Sequence, residues 1–150
     1  SNKRALLCGV LGEIGHPDAV PALIAVLRDP VISVAAWACD SLGAIGDDSA
    51  LPAMQRYHQR LLSLASRGAI PESAGTPQAL IAMAAGHCYY FGDELVESDL
   101  IAFLLSDDEA ARQTAYGHLK RRYGSALELD LDGGVNEWRR AVERWQAGRR

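Results

Sequence analysis

Apolar residues return at intervals of three and four along most of the chain, which is the spacing of one face of an α-helix. No stretch shows the strict alternation of a half-buried strand, so the pattern predicts an all-α fold. The predicted helices cover residues 3–14, 17–28, 30–45, 47–67, 77–90, 93–105, 107–123 and 135–147. The segment at 68–76, which contains Gly, Pro and Ser, is predicted to be a surface loop, and SALELDLDGG at 125–134 is predicted to be a second loop.

Capping residues set the predicted helix ends. Asp29 is expected to be an N-cap with Pro30 in the first helical turn, and Gly46 is expected to end that helix as a left-handed cap. Ser106 and Glu109 have the spacing of a capping box, which predicts the start of the next-to-last helix.

One segment of the chain occurs twice. LGEIGHPDAVPAL at 11–23 returns as LGAIGDDSALPAM at 42–54, so the matching residues are 31 positions apart. A weaker copy at 100–104 matches 23–27 at a distance of 77 positions, which implies an insertion of about 15 residues between them. A helix pair of this length cannot bury both its faces alone, so neighbouring pairs are expected to stack into an α-solenoid.

The repeats divide a single domain, 1–150, into about four antiparallel helix pairs. Their predicted bounds are 3–28, 30–67, 77–105 and 107–147, with the loop insertion at 68–76. Gly12 and Gly43 are costly inside helices, so we expect each to make room for a neighbouring backbone. Pro21 and Pro52 are expected to kink the helices that contain them.

LGEIGHPDAVPALIAVLRD and LGAIGDDSALPAM resemble the short HEAT-type repeats that are also found in phycobilin lyase subunits. The similarity is strong over residues 6–54 and partial over 77–124, and His16 stands where these repeats usually have aspartate. The resemblance implies an α-solenoid in which the second helix of each pair lines a concave binding face. It implies no reaction, because fold does not give function.

The composition is that of a globular domain, with 49% hydrophobic and 23% charged residues. No apolar run approaches the roughly 20 residues of a membrane span, so we expect a soluble protein. The C-terminal end is similar to the terminal unit of many bacterial HEAT-repeat proteins, and we expect a cytoplasmic bacterial protein. A net charge of −4 argues against a general nucleic-acid binder. The chain begins Ser1-Asn2 instead of Met, so we expect it to be an excerpt of a longer protein.

No residue pattern indicates catalysis or metal binding. His16, His58, the adjacent His87 and Cys88, and His118 lack the spacing of metal ligands, so the histidines are interpreted as surface, cap or packed residues. Asp47 and Asp48 are interpreted as helix-capping residues. Cys8, Cys39 and Cys88 are interpreted as buried small hydrophobes in a reducing compartment. We therefore predict a protein that is not an enzyme and has no catalytic residue, metal or cofactor.

The favoured function is a scaffold or regulatory adaptor that holds a helix or tail of a partner protein in the concave groove. Superposing the second helices of the pairs predicts a binding face formed by Arg28, Arg56, Gln59 and Leu105.

Two alternatives remain. The basic C-terminal end could bind nucleic acid through Arg121, Arg122, Arg139, Arg140 and Arg144, which are interleaved with tryptophans. Trp138, Val142 and Trp145 nevertheless have the spacing of one buried face, which favours a helix that closes the core. The second alternative is a lyase-like subunit that delivers a tetrapyrrole, and only the resemblance suggests it.

The first helix has no polar capping unit before it. Its apolar residues are Leu6, Leu7, Val10 and Ile14. Either further repeats precede it or this edge is a surface for self-association.

Overall fold

The computed structural model describes residues 2–130 and 133–149, and this part of the chain contains eight α-helices and no strand. The helices are α1 Asn2–Ile14, α2 Val20–Val26, α3 Ile32–Ile45, α4 Leu51–Ser66, α5 Pro77–Tyr90, α6 Glu97–Phe103, α7 Glu109–Tyr123 and α8 Val135–Gly148. The predicted all-α fold is confirmed. Ser1 of the opening dipeptide, and Leu131 and Asp132 of the second predicted loop, lie outside the described residues.

The helices form two layers. In the first layer, α1 packs on α3, α3 on α5 and α5 on α7. The second layer consists of α2, α4, α6 and α8, which pack against the first layer. Within it, a side chain of α4 contacts the end of α2, and one of α8 contacts the end of α6. Among consecutive helices, the closest packing joins α2 to α3 and α4 to α5. Leucines that are completely buried fill the space between the layers, including Leu23, Leu42, Leu100 and Leu119. This stacking is consistent with an α-solenoid.

Two of the predicted caps are confirmed. Gly46 follows α3 in the left-handed conformation, at φ 77°, and its N–H donates to the Leu42 carbonyl. The Asp47 carboxylate accepts a hydrogen bond from the N–H of Ser49 at 3.0 Å. It therefore caps the 3₁₀ turn Asp48–Ala50 that leads into α4.

The predictions for Asp29 and Ser106 were wrong. Helix α3 begins at Ile32, and Asp29 instead accepts from the Val31 N–H at 2.9 Å and pairs with Arg4 at the same distance. The Asp29 carboxylate and the Val31 N–H close an Asx turn ahead of the helix, so residues 30 and 31 stay outside it. The N-cap of α7 is Asp108, which accepts from the Ala111 N–H at 2.7 Å. The Ser106 hydroxyl instead accepts from the Asp108 N–H at 3.1 Å, in the turn before the helix.

The predicted kinks at Pro21 and Pro52 were also wrong. Each proline is the second residue of its α-helix, directly after a 3₁₀ turn, at Pro17–Ala19 and at Asp48–Ala50. A proline in the first turn removes an N–H that has no partner inside the helix, so it interrupts no helical hydrogen bond.

The ends of the short second-layer helices are held by side chains from the next helix of that layer. Arg60 of α4 donates to the carbonyl of Leu27 at 3.0 Å and to that of Asp29 at 2.9 Å. Trp138 of α8 donates its indole N–H to the carbonyl of Leu104 at 2.6 Å. Leu27 and Leu104 are equivalent positions 77 residues apart. The free carbonyl at the end of each helix therefore receives a side-chain donor, an arginine in one case and a tryptophan in the other.

Glycines allow the first-layer helices to approach closely. A Cβ atom at Gly12 would lie 2.8 Å from the Cβ of Ser41 and 3.0 Å from its Cα. The prediction that Gly12 makes room for a neighbouring backbone is therefore confirmed. At Gly43 the space is filled by a side chain instead, because a Cβ atom there would overlap the ring of His87.

Gly86 and Gly117, at equivalent positions 31 residues apart, provide a matched test of this packing. A Cβ atom at Gly86 would overlap the His118 ring, whereas nothing lies within 4 Å of one at Gly117. We expect Gly86→Ala to lower the free energy of unfolding by about 1–3 kcal/mol. Gly117→Ala should raise it by up to about 1 kcal/mol, because alanine favours the helix. Urea unfolding followed by circular dichroism measures both, and equal effects of the two substitutions would contradict the close packing at Gly86.

Candidate interaction site

A row of polar side chains crosses the first layer from α3 to α7. The His87 Nε2 atom lies 3.2 Å from Asp40 Oδ1, and the rings of His87 and His118 meet edge to face with centroids 5.2 Å apart. His87 rests on Gly43 and His118 rests on Gly86. The sequence reasoning missed this row, although the dipeptide Gly-His occurs at 86–87 and again 31 residues later.

Burial keeps the last member of the row neutral. Burial, together with the nearby positive groups His87 and Arg121, lowers the pKa of His118 to about 4. At the other end of the row, the hydrogen bond with His87 lowers the pKa of Asp40. The row therefore runs from an ionised carboxylate on α3 to a neutral imidazole on α7 at neutral pH.

A pocket of about 280 Å³ opens at the His118 end of the row. It is lined by Tyr89, Tyr90, Gly92, Glu94, His118, Arg121 and Arg122. The Arg121 guanidinium lies over the Tyr90 ring, 5.8 Å from its centroid. Arg122 pairs with Glu94 at 3.4 Å. The pocket therefore combines aromatic walls with two arginines and one acid.

A clamped carboxylate lies beside this pocket. Glu97 of α6 accepts hydrogen bonds from the Tyr89 hydroxyl at 2.6 Å, the Tyr123 hydroxyl at 2.5 Å and Arg149 at 2.6 Å. Burial raises the Glu97 pKa, but these three donors outweigh it, so the pKa is lowered overall. The Arg149 guanidinium also lies 4.7 Å from the ring centroids of Tyr123 and Trp145. These contacts fasten the end of α8 to α6 and α7.

Large apolar side chains are exposed at two places on the first layer. Trp37 of α3 is 51% exposed and Tyr90 of α5 is 54% exposed. On α1, Leu6 is 69% exposed and Ile14 is 66% exposed. A groove of about 380 Å³ lies between α1 and Trp37. The exposed apolar residues of the predicted first helix are thus surface residues in the fold.

The structure brings together only two of the four residues predicted for the concave face. Arg28 and Arg56 line one groove of about 190 Å³ between α2 and α4. Gln59 is exposed on α4 but does not line this groove, and Leu105 is half-buried against the core. Arg60 lines the groove as well, although its guanidinium is held by backbone carbonyls.

The five arginines of the nucleic-acid alternative do not form one surface. Arg121 and Arg122 line the pocket between α5 and α7, whereas Arg140 and Arg144 line a separate groove of about 370 Å³ that also contains Glu128, Asp130 and Glu137. Arg139 pairs with Asp107 at 2.8 Å. Acids therefore accompany the basic residues in both places.

The tryptophans of α8 close the core, as their spacing predicts. Trp138 and Val142 are buried, and Trp145 is half-buried with its ring edge to face against Tyr123. The Trp138 ring packs in the same way against Tyr116. Both tryptophan rings therefore pack against aromatic side chains of the protein itself.

The histidine interpretations had mixed outcomes. His16 acts as a cap, accepting from the Asp18 N–H at 3.2 Å. The interpretation of His58 as a surface or cap residue was wrong, because it is buried on the inner side of α4. Burial lowers its pKa, and its Nε2 atom has no hydrogen-bond partner among the described residues.

The predicted burial of the cysteines is confirmed. All three are free thiols inside the core, and burial raises the pKa of Cys88 to about 12. This thiol therefore stays protonated at neutral pH and is a poor nucleophile. In residues 2–130 and 133–149, no group of three or more His, Cys, Asp or Glu side chains is placed to hold a metal ion.

A family model described as HEAT repeats matches residues 1–60. Searches of curated proteins and of solved structures found no match. Within the described part of the chain, none of the helices has the length and apolar character needed to cross a membrane.

The depressed pKa of His118 predicts a pH-dependent stability. Its folded pKa is about 4 and its unfolded pKa about 6.5, so acid protonates the unfolded chain first and stability falls as pH drops below 6.5. Because of this histidine, the free energy of unfolding should fall by about 2 kcal/mol when the pH is lowered from 7.5 to 5. The loss should be smaller by that amount in His118→Gln, measured by urea unfolding at both pH values. Equal losses in the two proteins would contradict a neutral, half-buried His118.

Proposed function

Because residues 1–60 are HEAT repeats in a HEAT-like repeat protein, and such repeats are commonly non-enzymatic interaction scaffolds, we propose that this protein binds a partner protein. The partner contacts the outer surface of the first layer, formed by α1, α3, α5 and α7. The close spacing of the helices in this layer is the observation that carries the proposal.

The two layers differ in helix spacing. First-layer neighbours approach so closely that a Cβ atom at Gly12 would collide with Ser41 of the next helix, whereas the long side chains Arg60 and Trp138 bridge the neighbours of the second layer. A stack of helices curves towards the layer with the shorter spacing. This favours the first layer as the concave side, in place of the second helices that the sequence resemblance implied.

The exposed residues of the first layer are also the types that dominate protein interfaces. Trp37, Tyr90 and Arg121 all point outward from it. Tryptophan, tyrosine and arginine are enriched among the residues that contribute most to binding energy. The smaller groove between α2 and α4 has arginines, but its tyrosine, Tyr57, is buried.

Paired variants distinguish the two faces. We expect the immobilised protein to retain a partner from a nuclease-treated lysate of its source organism. Trp37→Ala/Tyr90→Ala should retain at least about tenfold less, because it removes two aromatic anchors. Arg28→Glu/Arg56→Glu, in the groove between α2 and α4, should retain as much as the unmodified protein.

Urea unfolding of both double variants shows whether each is folded at the temperature of the assay. Loss of the partner in the arginine variant, with retention by the aromatic variant, would move the site to the second layer. Retention of a partner from an untreated lysate, with none from the nuclease-treated one, would favour the nucleic-acid alternative.

We also propose that α1 packs against α1 of a second copy of the chain. Val10 is the repeat equivalent of Ser41, and Ser41 lies on the α1 side of α3, where its hydroxyl donates to the Cys8 carbonyl at 2.8 Å. The face of α1 that contains Val10 therefore corresponds to the face of α3 that its neighbour covers. A second α1 extends the established α1–α3 packing by one helix.

Self-association is tested by light scattering on a sizing column. We expect a dimer for the unmodified protein and a monomer for Leu6→Glu/Ile14→Glu, because two charges would then be desolvated at the contact. Leu95→Glu is the matched control, since Leu95 is an exposed leucine beyond α5, and it should remain dimeric. A monomeric unmodified protein at about 100 μM would contradict the proposal.

A further inference from the structure

The pocket between α5 and α7 has polar groups without partners. Arg121 forms no ion pair with any residue that the structure describes, and His118 accepts or donates no hydrogen bond within the same ranges. Both line the pocket. A guanidinium without a carboxylate partner and an imidazole with a free ring N–H are both donors for an anion.

The charges around the pocket favour a single negative group. Arg122 is balanced by Glu94, and Asp40 is held behind the histidines by its hydrogen bond with His87. Arg121 is therefore the charge left over at the pocket. One carboxylate placed beside it would make a charge-assisted hydrogen bond, which is about twice as strong as a neutral one.

The size and walls of the pocket restrict what can enter. A volume of about 280 Å³ is below the usual range for whole small-molecule ligands, which begins near 300 Å³. Tyr89 and Tyr90 form apolar walls that can cover the methylene groups of a short side chain. The space therefore suits one amino-acid side chain with a terminal charge.

We propose that this pocket binds the carboxylate of an acidic side chain presented by the partner protein. Arg121 pairs with the carboxylate, His118 donates a ring N–H to it, and Tyr90 covers its aliphatic stem. This assignment rests on the proposed function, because it names the chemistry that the partner brings to the first layer.

Capped single residues test the pocket without any partner protein. We expect glutamate blocked at both ends, with only its side-chain carboxylate free, to shift the NMR signals of His118 and Arg121. Blocked glutamine, its neutral counterpart, should not shift them. Binding of the carboxylate should also raise the pH at which the His118 ring titrates, because an anion stabilises the imidazolium.

Variants locate the binding to Arg121. Arg121→Gln should weaken the binding of blocked glutamate at least about tenfold, because it removes the charge and keeps much of the stem. Arg139→Gln is the matched control, since Arg139 is an exposed arginine that pairs with Asp107, and it should bind normally. Equal binding of blocked glutamine, or no effect of Arg121→Gln, would overturn the assignment.

A third probe separates carboxylate from phosphate. Inorganic phosphate that binds more tightly than blocked glutamate, and does so through Arg121, would overturn the choice of an acidic side chain. If blocked glutamate binds but no partner is retained from the lysate, the pocket stands and the proposed function fails. If a partner is retained but blocked glutamate does not bind, the proposed function stands and the assignment of the pocket fails.

Discussion

The close approach of the first-layer helices is the constraint on which the rest of the structure depends. At Gly12, Gly43 and Gly86, the side chain of the next helix occupies the space that a Cβ atom would need. Glycine weakens an isolated helix, and in this fold the close packing between helices compensates for that loss. This constraint spaces α1, α3, α5 and α7, and it leaves the second layer to be joined by longer side chains.

The same constraint explains where the polar residues of the candidate site lie. A ring that rests on a glycine has its position set by the helix beneath it, which is how His87 and His118 come to form a row with Asp40. The row is partly buried, so its members hydrogen-bond or stay neutral. Its open end is the pocket of Arg121, where no acid among the described residues balances the guanidinium. Helix packing thus positions both the row of polar side chains and the pocket at its open end.

Residues close together in the sequence were predicted better than residues that meet only in the fold. The cap at Gly46 and the buried face of α8 depend on neighbours within a few positions, and both were correct. The caps at Asp29 and Ser106 were wrong because each side chain accepts from the N–H two residues later, in a turn that precedes the helix. Of the predicted concave residues, only Arg28 and Arg56 share a groove, because Gln59 points away from it on α4 and Leu105 packs against the core.

The sequence by itself determined that the protein is all-helical and built from repeated helix pairs, because the period of apolar residues and the 31-residue repeat are local and repeated signals. Only the tertiary structure decided which side chains meet across helices. His87 lies 47 residues from Asp40 and 31 from His118, and no pattern within one helix reports such a contact. The spacing of the two layers was likewise set by packing, since it depends on which side chain faces each glycine.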